Sequence, residues 1–161
     1  MKKKFVSMLL AAMMAGTMVA AVPVMAEEST EATTEATTEA TANADLADKK
    51  VGVCIYQFSD NFMTLFRTEL ENYLVGLGFS KDNITIVDGV NDQATQSGQI
   101  DSFIADEVDV LIINPVNSSS ASTITDKVVA AGIPLVYINR EPDADEEARW
   151  EENSWNVTYV G

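Results

Sequence analysis

This chain of 161 residues has no histidine, one cysteine and few basic side chains, and each scarcity removes a class of chemistry. Without histidine the usual base of serine and cysteine hydrolases is missing, and so are the His/Cys ligand sets that hold zinc. No Gly-x-Ser-x-Gly elbow occurs, which sets aside a serine hydrolase of the α/β kind. A lone cysteine closes no internal disulfide; Cys54 lies in the apolar run 51–56 and reads as a small buried hydrophobe. Ten Lys and Arg stand against 25 Asp and Glu, a formal net charge of −15. Such a surface repels nucleic acid and anionic membranes.

What is present begins with a leader. Lys2, Lys3 and Lys4 precede an uncharged run, 5–25, that closes on Val24-Met25-Ala26. Residues 1–26 therefore read as a secretory signal with a small-residue cleavage site; a retained membrane anchor is the alternative, since the run is long enough to span. Losing it removes three Lys and no acid, leaving 7 basic against 25 acidic side chains, a net charge of −18. Residues 27–48 carry the repeats Glu-Ala-Thr-Thr at 31–34 and 35–38. With almost no apolar side chain larger than Ala, this stretch cannot offset its ordering entropy and is expected to be a disordered acidic spacer, its ends on the order of 25 Å apart. The expected location is the periplasm or the outer face of the cell membrane or wall.

From about residue 49 short apolar strands alternate with amphipathic helices, the pattern of a doubly wound α/β fold with a parallel sheet covered on both faces. Strands are expected at 51–57, 84–87, 108–113, 135–138 and 157–160. The first helix is expected at about 62–77, with Phe62, Leu65, Phe66, Tyr73, Leu74 and Leu77 on one side, Asp60 or Asn61 as its cap and Gly78 as its stop. The second begins near Asp92, where Asn91, Asp92 and Gln93 form its start, and buries Ile100, Phe103 and Ile104. The third spans about 118–131 and ends at Gly132 and Pro134. Because 157–160 is a strand with no helix after it, residues 49–161 look like one incomplete lobe.

Ligands of open α/β sheets bind beyond the carboxyl ends of strands where strand order reverses, which for the order 2-1-3-4-5 lies between strands one and three. Two loops qualify: Phe58-Ser59-Asp60-Asn61-Phe62 and Asn114-Pro115-Val116-Asn117-Ser118. Neither is glycine-rich, and no Lys or Arg occurs within 51–66 or 82–126, so nothing there suits a phosphate or dinucleotide. A carboxylate, side-chain amides and an aromatic ring suit a neutral polyol, whose hydroxyls donate and accept and whose C–H face covers a ring. The same residues have plainer uses, with Asp60 as a helix cap, Phe62 as the first core residue of helix one and Asn114 as a strand-end turn.

Five segments together resemble galactose/glucose-binding proteins of bacterial ABC transporters. They are Ile55-Tyr56-Gln57-Phe58-Ser59-Asp60-Asn61-Phe62-Met63, Asn91-Asp92-Gln93 with Gln99-Ile100-Asp101, Ile113-Asn114, Asn139-Arg140-Glu141-Pro142 and Tyr159-Val160-Gly161. Their order and spacing follow the family from about residue 50 to the end. The resemblance implies the N-terminal lobe of a two-lobed type I periplasmic-binding-protein fold, truncated here, that captures a monosaccharide and delivers it to a membrane permease; a chemoreceptor is a further partner in the family. It also implies that Asp60 accepts bonds from sugar hydroxyls, Phe62 stacks on the pyranose, Asn114 bonds a hydroxyl and Tyr56 lies nearby, with Asn139 and Arg140 as secondary candidates. Arg140 stands where ribose-type relatives contact ligand with Asp-Arg, so a pentose is the alternative sugar. No cofactor is implied within this sequence; the family's calcium loop and second-lobe ligands would lie beyond residue 161.

Three rival classes of function would each need features of their own. An exported carbohydrate-acting enzyme would pair Asp60 with Asp88 or Asp92 across a substrate. A regulator's effector domain would need a DNA-binding helix pair before residue 50, and an adhesin would show repeats in its folded part. The cluster Asp143, Asp145, Glu146, Glu147, Glu151 and Glu152 fits no EF-hand spacing and is expected to be a solvated acidic loop. Trp150 and Trp155 flank it and either hold it down or face a partner.

Overall fold

The structure, a computed structural model, describes residues 45–161. The expected signal and most of the expected spacer lie outside the described residues. Ala47, near the end of that stretch, offers its carbonyl to Asn83 Nδ2 at 2.9 Å.

Five parallel strands form one sheet in the order β2-β1-β3-β4-β5. They are β1 (Val51–Ile55), β2 (Ile84–Asp88), β3 (Val110–Ile113), β4 (Leu135–Ile138) and β5 (Val157–Val160). The helices between them are α1 (Asn61–Leu77), α2 (Gln93–Ala105), α3 (Ala121–Ala130) and α4 (Ala144–Glu152), with short 3-10 turns at Lys81–Asn83 and Ser118–Ser120. The doubly wound α/β class and the strand order are those the sequence implied.

Alternation along β1 explains the layering, since successive side chains of a strand point to opposite faces. Val51, Val53 and Ile55 meet Met63 and Leu74 of α1 on one face, whereas Cys54 joins Ile100, Phe103, Leu111, Ile124, Val128, Tyr137 and Trp150 on the other, beneath α2, α3 and α4. Every residue of β1 is buried, as a central parallel strand requires. Burial pushes the Cys54 thiol up to about 12, so it stays a protonated, apolar filler.

Helix α1 departs from expectation in its rotation. Its buried residues are Met63 and Leu74, with Phe66 and Leu70 packed beside them. Phe62, Leu65, Tyr73 and Leu77 face outward, at 61%, 63%, 65% and 38% exposure. The sequence carries two adjoining apolar stripes, and the one containing Met63 lies against the sheet. The strand boundaries also tighten, with β1 ending at Ile55 rather than 57 and β3 starting at Val110 rather than 108.

The acidic segment after β4 is not a loop. It forms α4, capped by Asp143, whose carboxylate accepts from Glu146 N at 2.9 Å. Acids in a first turn lie near the positive end of the helix dipole, which favours the helix despite its scarce apolar residues. Trp150 is buried and stacks on Tyr137 at 5.5 Å, and its Nε1 donates to the buried Glu146 at 2.7 Å. Arg149 bridges Glu146 and Asp126, tying α4 to α3. Trp150 therefore holds the segment down, and Trp155 packs against the same core.

Strand β1 leaves no room where α2 crosses it. A Cβ on Gly52 would stand 2.9 Å from Leu111 Cδ2 and from the Phe103 ring. Gly52→Ala is expected to destabilise the fold by about 1–3 kcal/mol through overpacking. A urea midpoint unchanged by the substitution would mean that α2 does not press on β1 as described.

Candidate functional site

Strands β1 and β3 run side by side in a register that pairs Cys54 with Ile113, so both release their chains at the same level. The ladder continues one step further, because Asn114 N donates to Cys54 O at 2.8 Å. Loops 56–61 and 114–117 are thus neighbours.

Asp60 caps α1 with an extended backbone (φ −73°, ψ 126°), and its Oδ1 accepts from Met63 N at 3.0 Å. Its Oδ2 accepts from the Tyr56 hydroxyl at 2.5 Å. The Tyr56 phenol first, and then the Met63 N–H, hold this carboxyl below its usual range, while the same bond raises the phenol of Tyr56. A carboxylate offers about four lone-pair positions, and two are taken. The plain role as cap and an acceptor role toward solvent therefore coexist on one half-buried side chain.

Phe62 follows two residues later on the first turn of α1, its ring 61% exposed and tilted against Phe66 at 6.1 Å between centroids. Its use as a core residue is excluded by that exposure. Asn114 is fully buried; its Nδ2 contacts Met63 Sδ at 2.9 Å and its Oδ1 has no hydrogen-bond partner. In this structure Asn114 thus lies beneath the surface of the wall, with one amide acceptor left unpaired.

Arg140 is brought over the Tyr56 ring from the end of β4, its guanidinium carbon 3.9 Å from the ring centroid. Its Nη1 donates to Pro115 O at 3.2 Å and to Val116 O at 2.5 Å. A cation is therefore present at a site whose two loops contain none, because it arrives from a third loop. Asn139, exposed at the end of β4 with φ 64°, stands beside Arg140 in sequence; its backbone N–H donates to Val160 O at 3.2 Å. The structure thus joins Tyr56, Asp60 and Arg140 in one chain of contacts, with Phe62 projecting beside them.

Two contributors were missed by sequence reasoning. Asp88, considered only as an acid for hydrolysis, uses Oδ1 to accept from Phe58 N at 3.0 Å and Val90 N at 2.9 Å, fastening loop 56–61 to the end of β2. Asp92, its counterpart in that rival scheme, caps α2 through Thr95 N at 2.7 Å. Gln96 lies fully buried between α2 and loop 114–117. Its signal was in the pattern, since Gln96, Ile100 and Phe103 stand at i, i+4 and i+7 on one helix face.

Comparison with known proteins bears on this arrangement. Residues 51–159 match the model of the periplasmic binding protein domain. The chain belongs to the periplasmic binding protein family. It is similar to a putative rhizopine-binding protein of Rhizobium meliloti, 40% identical over 92 residues that cover 57% of this chain and 29% of the relative. It is also similar to the D-galactose/methyl-galactoside binding periplasmic protein MglB of Haemophilus influenzae, 35% identical over 115 residues, 71% of this chain and 33% of that one. A solved relative is the ABC transporter solute binding protein of Bacillus halodurans with bound myo-inositol, at 33% identity and a TM-score of 0.56, covering 63% of this chain and 35% of that chain. The family member described here spans about a third of the length of these relatives.

The main cause of the low Asp60 ionisation, the Tyr56 hydroxyl, is testable in this periplasmic-binding-protein lobe. Removing the hydroxyl with Tyr56→Phe is expected to raise the Asp60 titration toward the ordinary carboxyl value near 3.9, leaving the Met63 cap bond as the remaining stabiliser of the charge. A depressed carboxyl adds stability that is present above its unfolded value and lost as pH falls through its folded one, so the variant loses that contribution at higher pH than the wild type. Carbon-detected NMR titration of Asp60 reads this; an unmoved midpoint would mean that the Tyr56 bond does not govern the site.

Proposed function

We propose that this protein is an exported solute-binding protein whose described lobe forms one wall of a monosaccharide site, and that it delivers the sugar to an ABC transporter permease. The observation that carries the reading is the pairing at the head of α1: an ionised Asp60 with open acceptor positions beside an exposed Phe62 ring. Neutral hydroxyls suit the carboxylate, and a pyranose C–H face suits the ring. Arg140 spends its Nη1 on two backbone carbonyls and stands over the Tyr56 ring, a use that positions the loop. Relatives named for D-galactose/methyl-galactoside and for ribose import, and one solved with myo-inositol, support a small polyol; galactose or glucose is the favoured ligand and a pentose such as ribose the alternative. The basic residues and apolar run of the leader support export. A chemoreceptor is a further proposed partner, and no catalytic step is assigned.

Sugar titrations by calorimetry should separate binding from folding. Asp60→Asn keeps the cap, since Asn caps as well as Asp, but loses the charge and the acceptor for the Tyr56 hydroxyl, so stability is expected to fall slightly while affinity falls roughly tenfold to a hundredfold, the scale of a hydrogen bond to a charged acceptor. Phe62→Ala removes a ring that supports no core and should cut affinity by roughly tenfold with little loss of stability. Galactose, glucose, ribose and myo-inositol run in parallel rank the ligand class. Unchanged affinity in both variants would sink the assignment.

A further inference from the structure

We propose that Gln96 is a positioning residue for the sugar-facing wall, fixing loop 114–116 from below so that Arg140 can hold Tyr56 and Asp60 from above. It rests on the reading of this wall as a sugar site. Backbone polar groups must be paired once buried. Residues 114–116 have five, because Pro115 lacks an N–H. Asn114 N donates to Cys54 O at 2.8 Å, the last rung of the sheet. Asn114 O accepts from Gln96 Nε2 at 2.9 Å, and Val116 N donates to Gln96 Oε1 at 2.9 Å. Pro115 O and Val116 O accept from Arg140 Nη1. Two side chains thus take over where the strand ladder stops.

The two clamps act on opposite sides. Gln96 is fully buried, so its amide stays inside only because both ends are bonded; an unbonded amide there would carry the desolvation cost of each group. Arg140 spans from the loop carbonyls to the Tyr56 ring, and Tyr56 in turn bonds Asp60. Releasing Gln96 would let the carbonyls move, loosen the guanidinium and pass the disorder to Tyr56 and Asp60. The side-chain hydrogen bonds of Gln96 go to Asn114 O and Val116 N and none goes to Tyr56, Asp60 or Arg140, so its effect on those residues passes through loop 114–116.

Gln96→Glu and Gln96→Met test the relay in the 161-residue chain. A protonated Glu reproduces the wild-type pair, with its O–H donating to Asn114 O and its C=O accepting from Val116 N–H, whereas the carboxylate offers Asn114 O no proton. Burial should keep the new carboxyl protonated well above the ordinary carboxylate range, so Gln96→Glu is expected to bind galactose like the wild type while protonated and to weaken about tenfold as pH rises and it ionises, while Gln96→Met stays weak throughout. The surrounding titratable groups Asp60, Asp88, Asp92, Asp101, Lys127 and Arg140 are shared with the wild type, measured alongside. A second readout needs no sugar: the Val116 amide should be protected from hydrogen exchange in the wild type and exchange at least tenfold faster in Gln96→Met, with Ile112 and Ile113 unchanged and the Tyr56 ring resonances shifted. An unprotected Val116 amide in the wild type overturns the proposal without any variant. So does unchanged galactose affinity in both variants. If the wild type binds no sugar, the functional reading fails separately, and the clamp then stands or falls on whether Gln96→Met shifts the Tyr56 resonances.

Discussion

The register between β1 and β3 is the constraint on which the site depends. Cys54 opposite Ile113 brings two chain exits to one level, and the helix that follows β1 must start at once to cover Val51, Val53 and Ile55. That start puts Asp60 at a cap position and Phe62 on the first turn, facing out. A one-residue slip in a parallel pair would exchange the faces of every side chain in the strand, burying what is now exposed. The continuous apolar character of β1 and β3 permits a strand; the alternation of large side chains and Gly52 against α2 specifies which face goes where.

Beyond the strand ends the main chain loses its ladder partners, and side chains replace them. Asp88 receives two amides of the neighbouring turns, Gln96 and Arg140 receive the polar groups of residues 114–116, and Asp60 receives the first turn of α1. The same carboxylate, amide and guanidinium types that recognise ligands in binding sites here hold the rim that would carry one. Asp60 serves both ends of this arrangement, since capping uses one oxygen and the Tyr56 bond the other, with acceptor capacity left over.

Much of this was legible in the sequence. Apolar runs separated by helix-length segments point to the class, whose usual strand order 2-1-3-4-5 the sheet adopts, and β4 and β5 fall at the expected 135–138 and 157–160, β4 just after the Gly132 and Pro134 stop. The rotation of α1 was not legible, because Phe62, Leu65, Tyr73 and Leu77 form as good a stripe as Met63, Phe66, Leu70 and Leu74, and only the sheet decides between them. Helix α4 was missed because its stabilisers are electrostatic and local: Asp143 three residues before Glu146 is a capping signal that hydrophobic periodicity cannot register. Arg140 was placed near the ligand by resemblance, whereas its stack on Tyr56 and its grip on loop 114–116 are tertiary facts spanning 24 residues or more. Asn114 shows the converse, a residue in the expected loop whose side chain points into the protein.

The proposed function stands on the head of α1 and the loop after β3 forming a sugar-binding wall. The most direct measurement is an NMR titration of the 161-residue chain with galactose, following Asp60, Phe62, Tyr56 and the amides of 114–116. If a complete site binds near 1 μM, about −8 kcal/mol, a single wall keeping half of that free energy should bind near 1 mM, and the shifts should be confined to these residues. Shifts confined to residues away from this wall, such as those of α4 and β5, or none at tens of millimolar sugar, would contradict the claim.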